Sequence, residues 1–194
     1  MKPAQSKRMK WLGIAGSLRK QSLNRALLEA LATRMPSDAE LVLFDGLGAL
    51  PLFDADLPYD PPPPPVQALK DALREADGLI LATPEYNYSI PGVLKNALDW
   101  ATRPPATSPL RRMPVGLMGV AAGMSGTIRA QYHLRQILVY TDCRVLNHPE
   151  VFVAHGHERF DAERNLICET TGAILERFAG AFADWVRLHA GERT

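Results

Sequence analysis

The stretch WLGIAGSLRKQSLNRALLEAL, residues 11–31, opens with five apolar positions, turns at Gly16, and passes through Ser17, Arg19, Ser22 and Asn24 before a helical stripe begins. Residues 11–15 form too short a run for a helix and do not alternate as a strand with one wet face would; such a run marks a strand buried on both faces. Leu27, Leu28, Leu31 and Met35 then share one side of a helix. Gly16 relieves the backbone where strand turns into loop.

The same unit recurs along the chain. Apolar runs at residues 41–44, 79–82, 115–120 and, more weakly, 145–146 predict four further strands. Helical stripes follow at Leu69, Ala72 and Leu73, at Val93, Leu94, Ala97, Leu98 and Ala101, and over residues 129–140. The longest carries Ile174, Leu175, Phe178, Phe182, Trp185 and Val186 inside, with Glu176, Arg177, Asp184 and Arg187 outside. Five buried strands alternating with crossover helices are an α/β, doubly wound parallel sheet. The prolines at 61–65 make a stiff connector into a helix starting near Val66. With 194 residues, no internal repeat and no shift in composition, the chain is expected to be a loose tail over residues 1–8 and a single domain over residues 9–190.

Composition narrows the function. Twenty-two basic against 21 acidic side chains leave a net charge of +1 without any long block of one sign, so neither a nucleic-acid face nor an anionic membrane surface is expected as a partner. Cys143 and Cys168 form no CxxC pair; they suggest neither a disulfide framework nor zinc, and fit a reducing cytoplasm. The basic N-terminus is followed by an apolar stretch too short and too broken for a signal peptide or a membrane span.

In an open parallel sheet, ligands bind beyond the carboxyl ends of the strands. In the loop after the first strand, Asn24 is a candidate helix cap and the helix start offers unpaired N–H groups to an anion. Ser17, Ser22 and Asn24 could add neutral donors and Arg19 a charged fork. There is neither a GK[ST] nor a GxGxxG pattern, so one phosphate fits better than a triphosphate or a pyrophosphate. The competing reading is a Ser-rich turn that only caps a helix. After the third strand, TPEYNYSIPGVLKNALDW (residues 83–100) places Tyr86 and Tyr88 where they could flank a flat ring, with the backbone of Glu85, Tyr86 and Asn87 meeting its polar edge. Tyrosines filling gaps beneath the loop are the alternative. In the third loop, AAGMSGT (residues 121–127), Gly123 and Gly126 allow close approach of the backbone to a ligand.

Together, GSLRKQSLN, PEYNYSIPGVLKNALDW and RAQYHLRQIL resemble the NADPH-dependent FMN reductase family over residues 11–150, and within it the bacterial chromate and quinone reductases. The resemblance implies a flavodoxin-like five-stranded sheet in the order 2-1-3-4-5, with FMN held without a covalent bond. It assigns the 5′-phosphate to Ser17, Arg19, Ser22, the backbone of Leu23, and Asn24. The isoalloxazine falls to Pro84, Glu85, Tyr86 and Asn87, with Gly123 bordering its other side. NADPH or NADH would pass hydride to the flavin, and quinones, chromate, azo compounds or free flavin would take the electrons, with no catalytic side chain and no metal required.

Relatives form homodimers or homotetramers, so Arg129, Tyr132 and Glu150 belong either to a polar interface or to a network within one chain at a helix end. LPLFDADLP (residues 50–58) resembles a family segment near the partner's flavin, which makes Phe53 and Asp54 wall candidates. The chain departs from the family at Ala121, where relatives often carry serine, and at Thr127, where they carry a second glycine; a narrower entry to the nicotinamide pocket is expected. His155-Gly156-His157-Glu158 is expected to be surface rather than a metal site, and without a GxSxG elbow a serine hydrolase is unsupported. Two alternatives remain: a flavodoxin-type electron carrier, disfavoured by the absence of a strongly acidic charge, and a flavin-free regulatory scaffold, opposed by the intact phosphate loop.

Overall fold

The structure, a computed structural model, describes residues 8–192. Of the expected tail only Arg8 is among them, and its Nε donates to Ala39 O (2.9 Å); residues 1–7 lie outside the description. The elements run β1 (Met9–Ala15), α1 (Leu23–Ala32), β2 (Ala39–Leu43), α2 (Pro64–Glu75), β3 (Gly78–Ala82), α3 (Gly92–Ala101), β4 (Pro114–Val120), α4 (Ile128–Tyr140), β5 (Arg144–Val145), β6 (Val151–Val153) and α5 (Glu169–Leu188). All strand pairs are parallel, in the order β2-β1-β3-β4-β5, with β6 also on β4.

β3 and β4 are buried at every position, as continuous apolar strands covered on both faces must be. α1 and α5 cover one face: Leu27, Leu28 and Leu31 pack with Phe178, Phe182 and Val186, and Trp11 meets Phe182 edge-on at 4.8 Å. α2, α3 and α4 cover the other, through Val66, Leu69, Leu73, Leu94, Leu98, Trp100, Leu134 and Leu138. α2 begins inside the proline run, where Pro64 needs no N–H partner in the first turn.

The expected sheet order holds, but the sheet contains six strands rather than five, because the last position is split in two. β5 pairs with the start of β4 (Pro114↔Arg144, Val115↔Val145) and β6 with its end (Met118↔Val151 to Val120↔Val153). Between them runs the segment 146–150, whose Pro149 has no N–H to give the ladder. The edge position is therefore one strand interrupted, and the expected strand at 145–146 is its first piece.

Where β4 ends, the backbone admits no side chain. A Cβ on Gly119 would sit 2.0 Å from Thr127 Oγ1 and 2.5 Å from Thr83 O. Gly119→Ala is expected to destabilise by about 1–3 kcal/mol through overpacking, at roughly 2–4 °C of Tm per kcal/mol in a chain of this size. Adding Thr127→Gly should recover part of the loss, because it clears the hydroxyl but not the carbonyl. Calorimetry of the three proteins checks this, and an unchanged Tm in Gly119→Ala would contradict the packing.

Candidate functional site

The parallel sheet brings the carboxyl ends of β1, β3, β4 and β6 to one edge, and four connections meet there. In the first, Gly16 N donates to Ala82 O (2.8 Å), closing the end of β1 against β3. The helix cap is Ser22, not Asn24 as expected: Ser22 has extended backbone (φ −72°, ψ 116°) and its Oγ accepts from Arg25 N (3.2 Å). Asn24 is already inside the helix and buried. Its Nδ2 donates to Val120 O and its Oδ1 accepts from Val120 N, both at 3.0 Å, so the carboxamide is committed to β4, and the backbone N–H of Asn24 finds no acceptor among the described residues.

The N–H groups of Leu23 and Asn24 find no acceptor among the described residues, as expected for a first helical turn. They lie at the positive end of the helix dipole. Ser17 Oγ stands 3.3 Å from Arg19 N and 3.3 Å from the Tyr86 hydroxyl. Arg19 is exposed, and among the described residues nothing accepts from its guanidinium.

In the second loop, Tyr86 and Ser89 exchange two backbone hydrogen bonds at 3.0 Å, while Asn87 (φ 51°) and Tyr88 (φ 68°) turn the chain between them. Two successive positive φ values make the tight turn that asparagine tolerates and tyrosine does not favour. The Tyr86 N–H is spent inside this hairpin. Of the backbone donors expected to meet a ring edge, those of Glu85 and Asn87 are left. The two tyrosines diverge: Tyr86 reaches Ser17, whereas the Tyr88 ring is covered by the Arg129 guanidinium, 3.8 Å from its centroid. Pro84 is buried at the root of the loop.

Glu85 turns its side chain, only 6% exposed, away from the loop's outer surface and onto the start of α4. Its carboxylate accepts from Arg129 N (3.0 Å), Ala130 N (3.2 Å) and Arg129 Nε (2.5 Å), and also pairs with Arg129 Nη2. Burial alone would push this carboxyl up. The Arg129 guanidinium and the N–H groups of Ala130 and Arg129 outweigh it and hold the group below the ordinary glutamate value.

The third loop is knitted to the connection after β6. Ala121 N donates to Val153 O (3.0 Å), Gly156 N to Ala121 O (2.9 Å) and His155 N to Gly123 O (3.2 Å). Gly123 is exposed, and a Cβ there would meet nothing. Thr127 lies in the left-handed region (φ 73°), where a glycine would be at ease, but its side chain is fully buried over Gly119 and accepts from Gln131 Nε2 (3.0 Å). The expected narrowing of the entry is therefore not produced by Thr127, which faces β4.

The turn at His155 and Gly156, set aside as surface in the sequence, is the fourth connection. A Cβ on Gly156 would come within 2.8 Å of Leu23 Cδ1 and 2.7 Å of Val120 Cγ2, so this turn presses on the first loop. The one sequence signal for it was a glycine between two histidines. Among the described residues no group of three or more His, Cys, Asp or Glu could hold a metal, and no helix is long and apolar enough to cross a membrane.

Arg129 belongs to a network within the chain, and Tyr132 OH donates to Glu150 Oε1 (3.4 Å). Phe53 packs edge-on against Trp100 (5.1 Å), with its N–H on Asn96 Oδ1 (2.7 Å), and Asp54 accepts from Asp56 N (2.9 Å) as an ordinary turn aspartate. A cavity of about 830 Å3 lies at the opposite end of the sheet among Arg8, Lys10, Glu75, Asp77, Arg187 and His189. The carboxyl edge, where Arg19, Tyr86, Asn87, Gly123 and Met124 are exposed, forms a shelf.

Because the folded Glu85 carboxyl lies below its ordinary value, the stability it lends is complete above that value and is lost as pH falls through the lowered one. Glu85→Gln is expected to flatten the acid limb of Tm against pH, the two proteins converging at low pH. Parallel acid limbs would show that the carboxylate is not paired as described.

Comparison with known proteins agrees with this architecture. The profile of the NADPH-dependent FMN reductase family matches residues 9–158. A 2-hydroxy-1,4-benzoquinone reductase of a Burkholderia species is 44% identical over 175 residues, covering 90% of this chain and 94% of its own. An NAD(P)H-dependent FMN reductase of Pseudomonas aeruginosa is 42% identical over 183 residues, 94% and 98% of the two chains. Among solved structures, the flavoenzyme NAD(P)H:(acceptor) oxidoreductase of Paracoccus denitrificans superposes with a TM-score of 0.85 at 34% identity, over 93% of this chain and 98% of that one. With its sheet order, its three loops and these relatives in agreement, the chain belongs to the NADPH-dependent FMN reductase family.

Proposed function

We propose that the shelf holds FMN, with the 5′-phosphate at the first loop and the ring between the second and third loops, and that the enzyme carries reducing equivalents from NADPH or NADH to quinones. The observation that carries this reading is the donor set at the start of α1. The N–H groups of Leu23 and Asn24 lack acceptors, the Arg19 guanidinium is unengaged among the described residues, and Ser17 stands beside them. Ser22 accepts from Arg25 N and keeps its own O–H to donate. These groups suit one dianionic phosphate.

The rest of the site follows from the ring's needs. Pro84, Glu85, Tyr86 and Asn87 supply a wall and two free backbone donors, and Gly123 leaves open space on the other side. When bound, FMN supplies the two-electron chemistry, accepting hydride from a nicotinamide and giving electrons to an acceptor. The chain's part is to orient the ring and keep one face accessible. Chromate, azo compounds and free flavin are further acceptors that an open shelf admits. Leu18, Met124 and Ile128 stand exposed at its rim, an apolar border that a second copy in a homodimer or homotetramer would cover. We place the working unit in one domain over residues 9–190, in the cytoplasm.

Purified protein should release FMN, not FAD, on acid treatment. Arg19→Met should weaken FMN by about ten- to hundred-fold, the 1.5–3 kcal/mol of a hydrogen bond to a charged group. Riboflavin, which lacks the phosphate, should lose little, and Lys20→Met should change neither. Titration of apo-protein with both flavins decides this, and equal losses for the two would sink the phosphate contact.

Turnover with NADPH and a quinone is expected to be ping-pong, because donor and acceptor use one ring face in turn, giving parallel double-reciprocal plots. A flavin left oxidised by NADPH in stopped flow but reduced by an external reductase would instead identify an electron carrier.

A further inference from the structure

The two loops assigned to the flavin ring are joined by one side chain. Arg129 donates from Nε to Glu85 Oε1 (2.5 Å) and pairs through Nη2 with the same carboxylate, while Nη2 also donates to Ser125 Oγ (3.2 Å). Its Cζ lies over the Tyr88 ring, 3.8 Å from the centroid. Glu85 and Tyr88 belong to the loop after β3; Ser125 belongs to the loop after β4. On the next turn of α4, His133 Nδ1 meets Ser89 Oγ (3.1 Å), a second tie between helix and hairpin.

We propose that Arg129 is a positioning residue that fixes the separation of the two ring-flanking loops, and that Glu85 is its counterpart. The argument begins with Glu85. A carboxylate so little exposed needs a charged partner, and two of its contacts, the N–H groups of Arg129 and Ala130, lie in the first turn of α4. Satisfying Glu85 therefore pins the hairpin to the helix start. The forked guanidinium has donors left over and extends that anchorage to Ser125, which a compact ammonium could not do at the same time. Tyr88, held at φ 68° against its preference, gains a cation on its ring face in compensation. Removing Arg129 would leave the Glu85 carboxylate without its counter-charge at the base of one loop and the Ser125 hydroxyl without its donor in the other, so both should loosen together.

The proposal rests on the flavin reading above, and its test separates the two. Arg129→Met, Glu85→Gln and the double variant are compared with Val186→Ala, a core change at the far end of the sheet. Arg129→Met should raise the Kd of FMN and of riboflavin by the same factor, about ten-fold or more, and should alter the visible circular dichroism of the bound flavin. Val186→Ala should lower Tm while leaving both Kd values within about two-fold, as a distant and independent site does. The double variant should bind both flavins more tightly than Arg129→Met, because the carboxylate that needed the cation is gone.

In the apo-protein, amides of residues 86–89 and 123–127 should exchange faster together in Arg129→Met. Flavin affinities within about two-fold of wild type in Arg129→Met, or a double variant that binds no tighter, overturn the proposal. If the wild-type protein takes up neither flavin, the flavin reading fails separately. The exchange measurement then judges the clamp: joint acceleration of both segments supports it, and unchanged rates overturn it.

Discussion

The carboxamide of Asn24 donates to Val120 O and accepts from Val120 N, at 3.0 Å each, and the geometry of the carboxyl edge depends on that pair. β3 pairs with β4 only as far as Ala82↔Met118. Two residues on, the backbone groups of Val120 on that side have no strand beside them, in a place closed to water. An asparagine side chain carries the same donor and acceptor as a peptide group and continues the ladder where the strand has turned away. The consequence is tertiary. The first turn of α1, with its unpaired N–H groups, is held against the strand from which the third loop departs, so the first and third loops keep one spacing.

The same edge concentrates unfavourable backbone. Asn87, Tyr88, Thr127 and His155 all have positive φ, at roughly 1–3 kcal/mol for each strained residue. Each is held by neighbours: the hairpin bonds of Tyr86 and Ser89, the Arg129 guanidinium over Tyr88, the niche over Gly119 for the Thr127 hydroxyl, and the bond from His155 N to Gly123 O. Thr127 shows how a β-branched side chain is absorbed at a left-handed backbone position. Its hydroxyl is directed into the gap that Gly119 leaves, where Gln131 on α4 bonds the oxygen and also donates to Val151 O of β6 (3.0 Å).

Much of this was legible in the sequence wherever the signal is local. The apolar runs, the helical stripes and the unusual loops after β1, β3 and β4 appear in place, although the run at 41–44, expected to be buried, lies on the edge strand β2 with Val42 exposed, and the resemblance supplied the strand order. What was not legible depends on distant partners. Ser22 and Asn24 are both good caps by type, and the choice is made by Val120, 96 residues away. Glu85 looks like a loop carboxylate until Arg129, 44 residues on, claims it. β6 has three residues behind an Asn-His-Pro-Glu break, too short to carry a period, and Gly156 is explained only by the side chains of Leu23 and Val120 that a Cβ would strike.

The distribution of charge follows from the same contacts. Glu85 is the acidic residue of the ring-side loops, and it is neutralised by Arg129. At the other end Arg19 is exposed and meets no acceptor among the described residues, beside the positive end of α1. The shelf is therefore polarised, with positive potential at the start of α1 and near neutrality along the loops after β3 and β4. An unpaired carboxylate beside a group that must take up electrons would oppose each added negative charge, more strongly where water is excluded. Pairing Glu85 with Arg129 removes that opposition and ties the two ring-side loops with the same bonds.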